Sequence, residues 1–125
     1  MPFIIETWDK PGHAPMRTRE RDVHLAYLDA NKSLLLACGA KLEDDGSNAG
    51  GGLYVVDLDT REEAERFIAN DPFALAGLFE RVTITRWRKA YVGGKGYLQA
   101  VLRRFRAPRR ASVGSHTSNP IQRAV

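Results

Sequence analysis

His24 and the run Asn70-Asp71-Pro72-Phe73 are the residues of this chain whose types could do chemistry together. An imidazole titrates near 6.5 when unperturbed, so modest tuning poises it for proton transfer at neutral pH. A carboxylate on one ring nitrogen would fix the tautomer and stabilise the imidazolium, leaving the other nitrogen for a substrate. Asp71 has a rival use. An aspartate directly before a proline is helix-start chemistry, because its side chain caps free backbone N–H groups and the proline needs no N–H partner. What the chain does depends on which of these two jobs Asp71 performs.

Three further residues could serve such a pair. Arg21, one turn before His24 on the same helical face, could receive an anionic group of a substrate. Phe73 and Trp87 read first as core and interface aromatics, and could also wall a pocket for a flat aromatic compound.

Other chemistries fit less well. The Gly50-Gly51-Gly52 run could present backbone amides to an anion, yet it opens a strand and matches no phosphate-binding fingerprint. Cys38, inside Leu34-Leu35-Leu36-Ala37-Cys38, reads as a small core residue and has no second cysteine to pair with. His13, His24 and His116 lack metal-site spacing, so no metal is expected, and no organic cofactor is required.

The elements that must position these residues follow from pattern. Phe3–Trp8 reads as a strand rich in aromatic and β-branched residues, and Asp9-Lys10-Pro11-Gly12 breaks it. Thr18 opens a helix through about Asn31, with Val23, Ala26, Tyr27 and Ala30 on one side. Leu34–Leu42 is a second strand, Asp44 to Gly52 a loop, and Leu53–Leu58 a third strand. Thr60 with Glu63 three residues later forms a capping box for a helix to about Ala69. Asp71-Pro72 starts a short helical piece that Gly77 ends, and Arg81–Arg88 is the fourth strand. The order β-α-β-β-α-β is the ferredoxin-like α+β arrangement, with an antiparallel sheet.

The second and third strands are apolar on both faces, and helices can cover only one. A second copy of the chain is the simplest cover for the other, so a homodimer packed sheet to sheet is expected.

Composition is ordinary for a globular domain, with 43% hydrophobic and 27% charged residues among 125. No apolar run approaches the roughly 18 residues a membrane-spanning helix needs. Met1-Pro2-Phe3-Ile4-Ile5-Glu6 has no basic leader and does not read as a signal peptide. With one cysteine, a cytoplasmic setting is the natural expectation. The net charge of +4 hides an asymmetry: residues 89–125 hold eight bases and no acid, while the earlier residues set eleven bases against fifteen acids.

The chain also resembles a known family. His24-Leu25-Ala26-Tyr27-Leu28, Leu35-Leu36-Ala37-Cys38-Gly39, Asp45-Gly46, Gly51-Gly52, Ala64, Phe67, Asn70-Asp71-Pro72-Phe73, Gly77-Leu78-Phe79 and Trp87 together look like the YciI-like (YCII-related) domain family. The resemblance covers roughly residues 2–90. It implies a dimeric α+β barrel of ferredoxin-like subunits, similar to muconolactone isomerase, with a His–Asp pair as active site. Here that pair maps onto His24 and Asp71. Some relatives resemble enzymes that remove chloride from chlorinated hydroxyquinones.

The expected organisation is a YCII-like domain over 1–90 and a basic extension over 91–125 outside the family pattern. Tyr97, Leu98, Val101, Leu102 and Phe105 form an apolar stripe, giving a short amphipathic helix over about 96–106 before a segment that reads as disordered. Its arginines could touch nucleic acid or an anionic membrane surface, but docking of the stripe on the chain's own domain or its mate is favoured, and no membrane partner is expected. The leading expectation is a small enzyme doing acid–base chemistry, by elimination or isomerisation, on a small cyclic or aromatic compound. His24 and Asp71 would be catalytic, and Arg21, Phe73 and Trp87 would bind substrate. The alternative is a non-enzymatic dimeric module that binds a small ligand or serves assembly, or acts on nucleic acid through its tail.

Overall fold

The computed structural model of the chain describes residues 1–98. Residues Met1–Arg88 form one compact unit, and the described residues from Lys89 to Leu98 belong to a second. In the first, β1 (Phe3–Asp9) leads to α1 (Ala14–Ala30), a single 3-10 turn (Lys32–Leu34) and the hairpin of β2 (Leu35–Leu42) and β3 (Asn48–Val56). Then come α2 (Arg61–Ala69), the one-turn α3 (Pro72–Leu75) and β4 (Phe79–Arg86). The sheet order is β2-β3-β1-β4 with every neighbouring pair antiparallel, which is the ferredoxin-like α+β topology.

Register decides which side chains meet the helices. Ile5 lies between Tyr54 and Ile84, and Phe3 between Val56 and Arg86, so these share one face. That face carries the core, where Phe3, Ile5, Tyr54 and Val56 pack with Ala64, Phe67 and Ile68 of α2 and with Tyr27 and Leu28 of α1. Ile4, Leu53 and Val55 alternate onto the opposite face, where Leu53 is 39% exposed. The Thr60–Glu63 capping box forms as expected: Thr60 Oγ1 accepts from Glu63 N at 3.1 Å, and Glu63 accepts from Thr60 N at 3.1 Å.

Four boundaries differ from the sequence expectation, each for a local reason. Helix α1 begins at Ala14 rather than Thr18, because Pro15 sits in the first turn, where its missing N–H has no partner to lose. The Gly50–Gly52 run lies inside β3 rather than in the loop. A Cβ at Gly51 would stand 2.2 Å from the Thr7 carbonyl oxygen and 2.5 Å from the Lys41 side chain. Glycine there lets Lys41 cross the strand to Glu6, at 3.1 Å, and to the face of the Trp8 ring, at 4.0 Å. Strand β4 spans Phe79–Arg86, so Trp87 lies just past its end, with its N–H donating to the Pro2 carbonyl at 2.9 Å. Leu58 likewise falls beyond β3, which stops at Val56.

In the second unit a small hairpin pairs β5 (Tyr91–Val92) with β6 (Lys95–Gly96) across Gly93-Gly94. The expected helix therefore does not begin at 96. A Gly-Gly pair between two short runs is a hairpin signal, and here it places strand pairing at residue 96. The remainder of that stripe, from residue 99, lies outside the described residues. Among the described residues no helix is long and apolar enough to cross a membrane.

Candidate active site

The Asp71-Pro72-Phe73 corner is built by rules legible in the sequence. Asp71 is the N-cap of α3, its Oδ1 accepting from Phe73 N at 2.8 Å, and Pro72 is the first helical residue. After one turn Gly77, at φ +83°, reverses the chain. The N–H groups of Gly77 and Leu78 then return to the carbonyls of Ala74 and Phe73, both at 3.0 Å, which is a Schellman closure. Leu78, fully buried, anchors it. Helices α1 and α3 pack together, so this corner faces the middle of α1.

Asp71 caps α3 and bonds to an imidazole at the same time. His24 Nδ1 lies 2.9 and 3.0 Å from the two carboxylate oxygens, and the Tyr54 hydroxyl donates to Oδ2 at 2.9 Å. The carboxylate is fully buried and His24 is 9% exposed. Because Asp71 accepts from the Phe73 N–H and the Tyr54 O–H, His24 Nδ1 is also a donor to it, and Nε2 is left as the free ring nitrogen. The imidazole stacks on Phe73 with ring centres 3.9 Å apart and planes 13° apart. Such a stack adds about 1 kcal/mol beyond its burial and fixes the ring plane. One corner thus supplies the orienting carboxylate and the platform.

His24 forms part of the wall of a cavity of about 270 Å³. Helix α1 contributes Arg17, Arg21, His24, Leu25 and Leu28, a stripe at three- and four-residue spacing. The sheet contributes Cys38, Gly39 and Ala40 from β2 with Gly52 and Tyr54 from β3, and Phe73 completes the wall. Asp71 does not reach the wall; it lies behind the imidazole. Arg17 is held by Asp9 through two bonds of 2.6 and 3.1 Å, and its guanidinium lies 4.7 Å from the centre of the Phe73 ring.

The protein environment sets the hydroxyl and thiol groups here. Burial, then the Asp71 charge and the hydrogen bond to it, pushes the Tyr54 phenol far above its ordinary value of 10.0. Cys38 is exposed rather than part of the core, because its side chain opens into this recess. A recess admits solvent contact yet surrounds the thiol with protein, and this desolvation, with Asp71 adding, pushes it up to about 11. Both groups keep their protons at neutral pH.

The structure therefore brings together His24, Asp71, Phe73 and Arg21. It does not bring Trp87 to them. The cavity is walled by β2 and β3, and β4 lies at the other edge of the sheet, with Trp87 beyond its end. Sequence reasoning missed Arg17 and Tyr54. Arg17 stands seven residues before His24, two turns along the same stripe. Tyr54 alternates with the outward Leu53 and Val55, and an inward tyrosine hydroxyl needs a buried acceptor. Among the described residues no group of three or more His, Cys, Asp or Glu side chains could hold a metal ion.

Fold and site together define a ferredoxin-like α+β domain with a buried His–Asp pair beside a small cavity. The family model of the YCII-related domain matches residues 1–88, and the chain belongs to that family. Its curated relatives include the proteins named YciI from Escherichia coli and Shigella flexneri. Each is 26% identical over 98 residues, spanning 73% of this chain and all of the relative. Among solved structures it is similar to 5-chloro-2-hydroxyhydroquinone dehydrochlorinase (TftG) from Burkholderia phenoliruptrix AC1100, in complex with 2,5-dihydroxybenzoquinone. That match has 32% identity and a TM-score of 0.65, and covers 70% of this chain and 94% of the other.

Proposed function

We propose that the protein is a small-molecule enzyme in which His24 moves a proton on a small ring compound carrying hydroxyl or carbonyl groups. The observation that carries this reading is a buried carboxylate bonded to one edge of an imidazole that walls a cavity. Asp71 holds the ring in one tautomer and balances the imidazolium that forms when Nε2 takes a proton. The bond pair left behind moves into the ring of the substrate. Return of the proton to another atom completes an isomerisation; departure of a leaving group with its bond pair, as chloride, completes an elimination. The cavity suits one ring with a few substituents, since about 150 Å³ already admits benzene. The likeness to TftG supports a hydroxylated six-membered ring.

The test is chloride release from 5-chloro-2-hydroxyhydroquinone. The wild-type protein is expected to release it, and His24→Gln to lose about a hundredfold or more of that rate. Equal rates in the two proteins overturn the assignment of His24.

We further propose that the chain pairs with a second copy through the face of the sheet that the helices leave bare. Leu53, exposed on that face, supports this. Sedimentation should show a dimer for the wild-type protein and monomer for Leu53→Asp. A wild-type monomer, or a Leu53→Asp dimer of full strength, removes the proposal.

A further inference from the structure

The ionisable side chains around the cavity are unevenly signed. Arg17, Arg21 and His24 line it, and no carboxylate does. Its other ionisable side chains, Cys38 and Tyr54, stay neutral and so add no negative charge. The two arginines are not equivalent. Arg17 is neutralised by Asp9 in a buried two-bond pair. Arg21 is exposed, and no side-chain carboxylate lies within ion-pair distance of it among the described residues. Those residues include every acid of the chain, because all fifteen lie at or before Glu80. Arg17 and Arg21 are also four residues apart on one helical face, a like-charge spacing that costs helix stability. An unpaired guanidinium at a cavity wall, kept beside another arginine, fits a ligand that brings the missing charge.

We infer that the cavity takes its ring compound as an oxyanion, with the charged oxygen on the Arg21 guanidinium and the reacting position at His24 Nε2. The inference rests on the acid–base reading of this cavity and adds the charge of the substrate. Arg21 is one turn from His24, so a substituent on one ring can reach the guanidinium while another edge of the ring meets the imidazole. An arginine suits this role better than a lysine, because its fork grips two oxygens on neighbouring ring carbons or both oxygens of a carboxylate.

The test compares two ligands of one ring skeleton by titration calorimetry. 2,5-Dihydroxybenzoquinone is a vinylogous acid and is ionised at neutral pH; its dimethyl ether, 2,5-dimethoxybenzoquinone, has no ionisable hydroxyl. Wild-type protein is expected to bind the anion at least about tenfold more tightly than the ether. Arg21→Gln should lose that preference while binding the ether as before, and Arg21→Lys should recover part of it. An anion preference undiminished in Arg21→Gln overturns the inference, as does equal loss of both ligands or a wild-type protein that does not bind the anion. The underlying reading fails separately. Unchanged turnover in His24→Gln removes the acid–base role, and the charge inference still stands if Arg21→Gln discriminates as described.

Discussion

Two acid–base pairs join α1 to the rest of the domain, seven residues apart on one stripe, and they differ in what they can do. Arg17 holds Asp9 at the end of β1, with side chains 11% and 6% exposed. His24 holds Asp71 at the α3 corner, with side chains 11% and 0% exposed. Burial and bond lengths are nearly matched. An arginine guanidinium keeps its proton throughout the ordinary pH range, whereas an imidazole is a side-chain type suited to exchange one there. The first pair is a clamp that fixes the helix to the sheet. The second also ties α1 to the domain and, in addition, places an imidazole on a cavity wall. Position and partner alone do not separate the two pairs. The kind of base, and its place on a cavity wall, do.

The largest effect that would break this comparison is expected from Asp71→Ala. It leaves His24 Nδ1–H, the Tyr54 hydroxyl and the Phe73 N–H without their shared acceptor, all in a buried site. Removing one partner of a buried pair costs about 3–5 kcal/mol, read as a lowered urea midpoint. A loss below about 1 kcal/mol, the scale of an ordinary cap, would show that the network carries little. Asp71→Asn sharpens the point, because asparagine also caps helices. It should cost less stability yet still depress turnover by about a hundredfold or more, since the amide does not balance the imidazolium.

Next in size is Arg17→Met, expected to destabilise by about 3 kcal/mol, the lower end for a broken buried pair. Its pH–rate profile should keep the wild-type inflection, because an arginine side chain supplies no proton in that range. A displaced inflection would mean that the two pairs are coupled through Phe73, which both touch.

Tyr54→Phe is expected to cost about 1 kcal/mol, the net value of one hydrogen bond. It also carries a pH signature. Tyr54 and Tyr27 are both raised in the folded state above 10.0, chiefly by burial, with the Asp71 charge adding. Above pH 10 the unfolded chain releases these protons and the native chain keeps them. Their stabilisation is therefore complete below pH 10 and is lost as pH rises beyond it. Denaturation midpoints from about pH 8 to about pH 11 should fall at the alkaline end. Tyr54→Phe should flatten that fall, and an unchanged slope would place its cause elsewhere.

The smallest effect is expected from Thr60→Ala, about 1 kcal/mol from the lost cap. This site is far in sequence from both pairs and bonds to neither, so turnover should be unchanged.

Much of the fold was legible because its signals are local. Alternation in Phe3–Trp8, the Thr60–Glu63 box, the Asp71-Pro72 start and the Gly77 stop each act within a few residues, and each is found where the spacing places it. Where a local signal had a local competitor, the boundary moved. Pro15 moved the start of α1, Gly51 drew the glycine run into β3, and Gly93-Gly94 set a hairpin just ahead of the apolar stripe. The site was legible as residue types, because His24, Arg21, Asp71 and Phe73 could each be named. Trp87 was misplaced because alternation gives a face of the sheet but not the order of its strands.

The sequence by itself determined the elements, the cap chemistry of Asp71 and the charge carried by the α1 stripe, since these depend on neighbours along the chain. Tertiary structure decided that Asp71 serves as cap and as partner of His24, that Tyr54 joins them, and that Asp9 neutralises Arg17 while no side-chain carboxylate among the described residues pairs with Arg21. The physical reason is distance along the chain. His24 and Asp71 are separated by 47 residues, and only the packing of α3 on α1 across the sheet brings them to 2.9 Å.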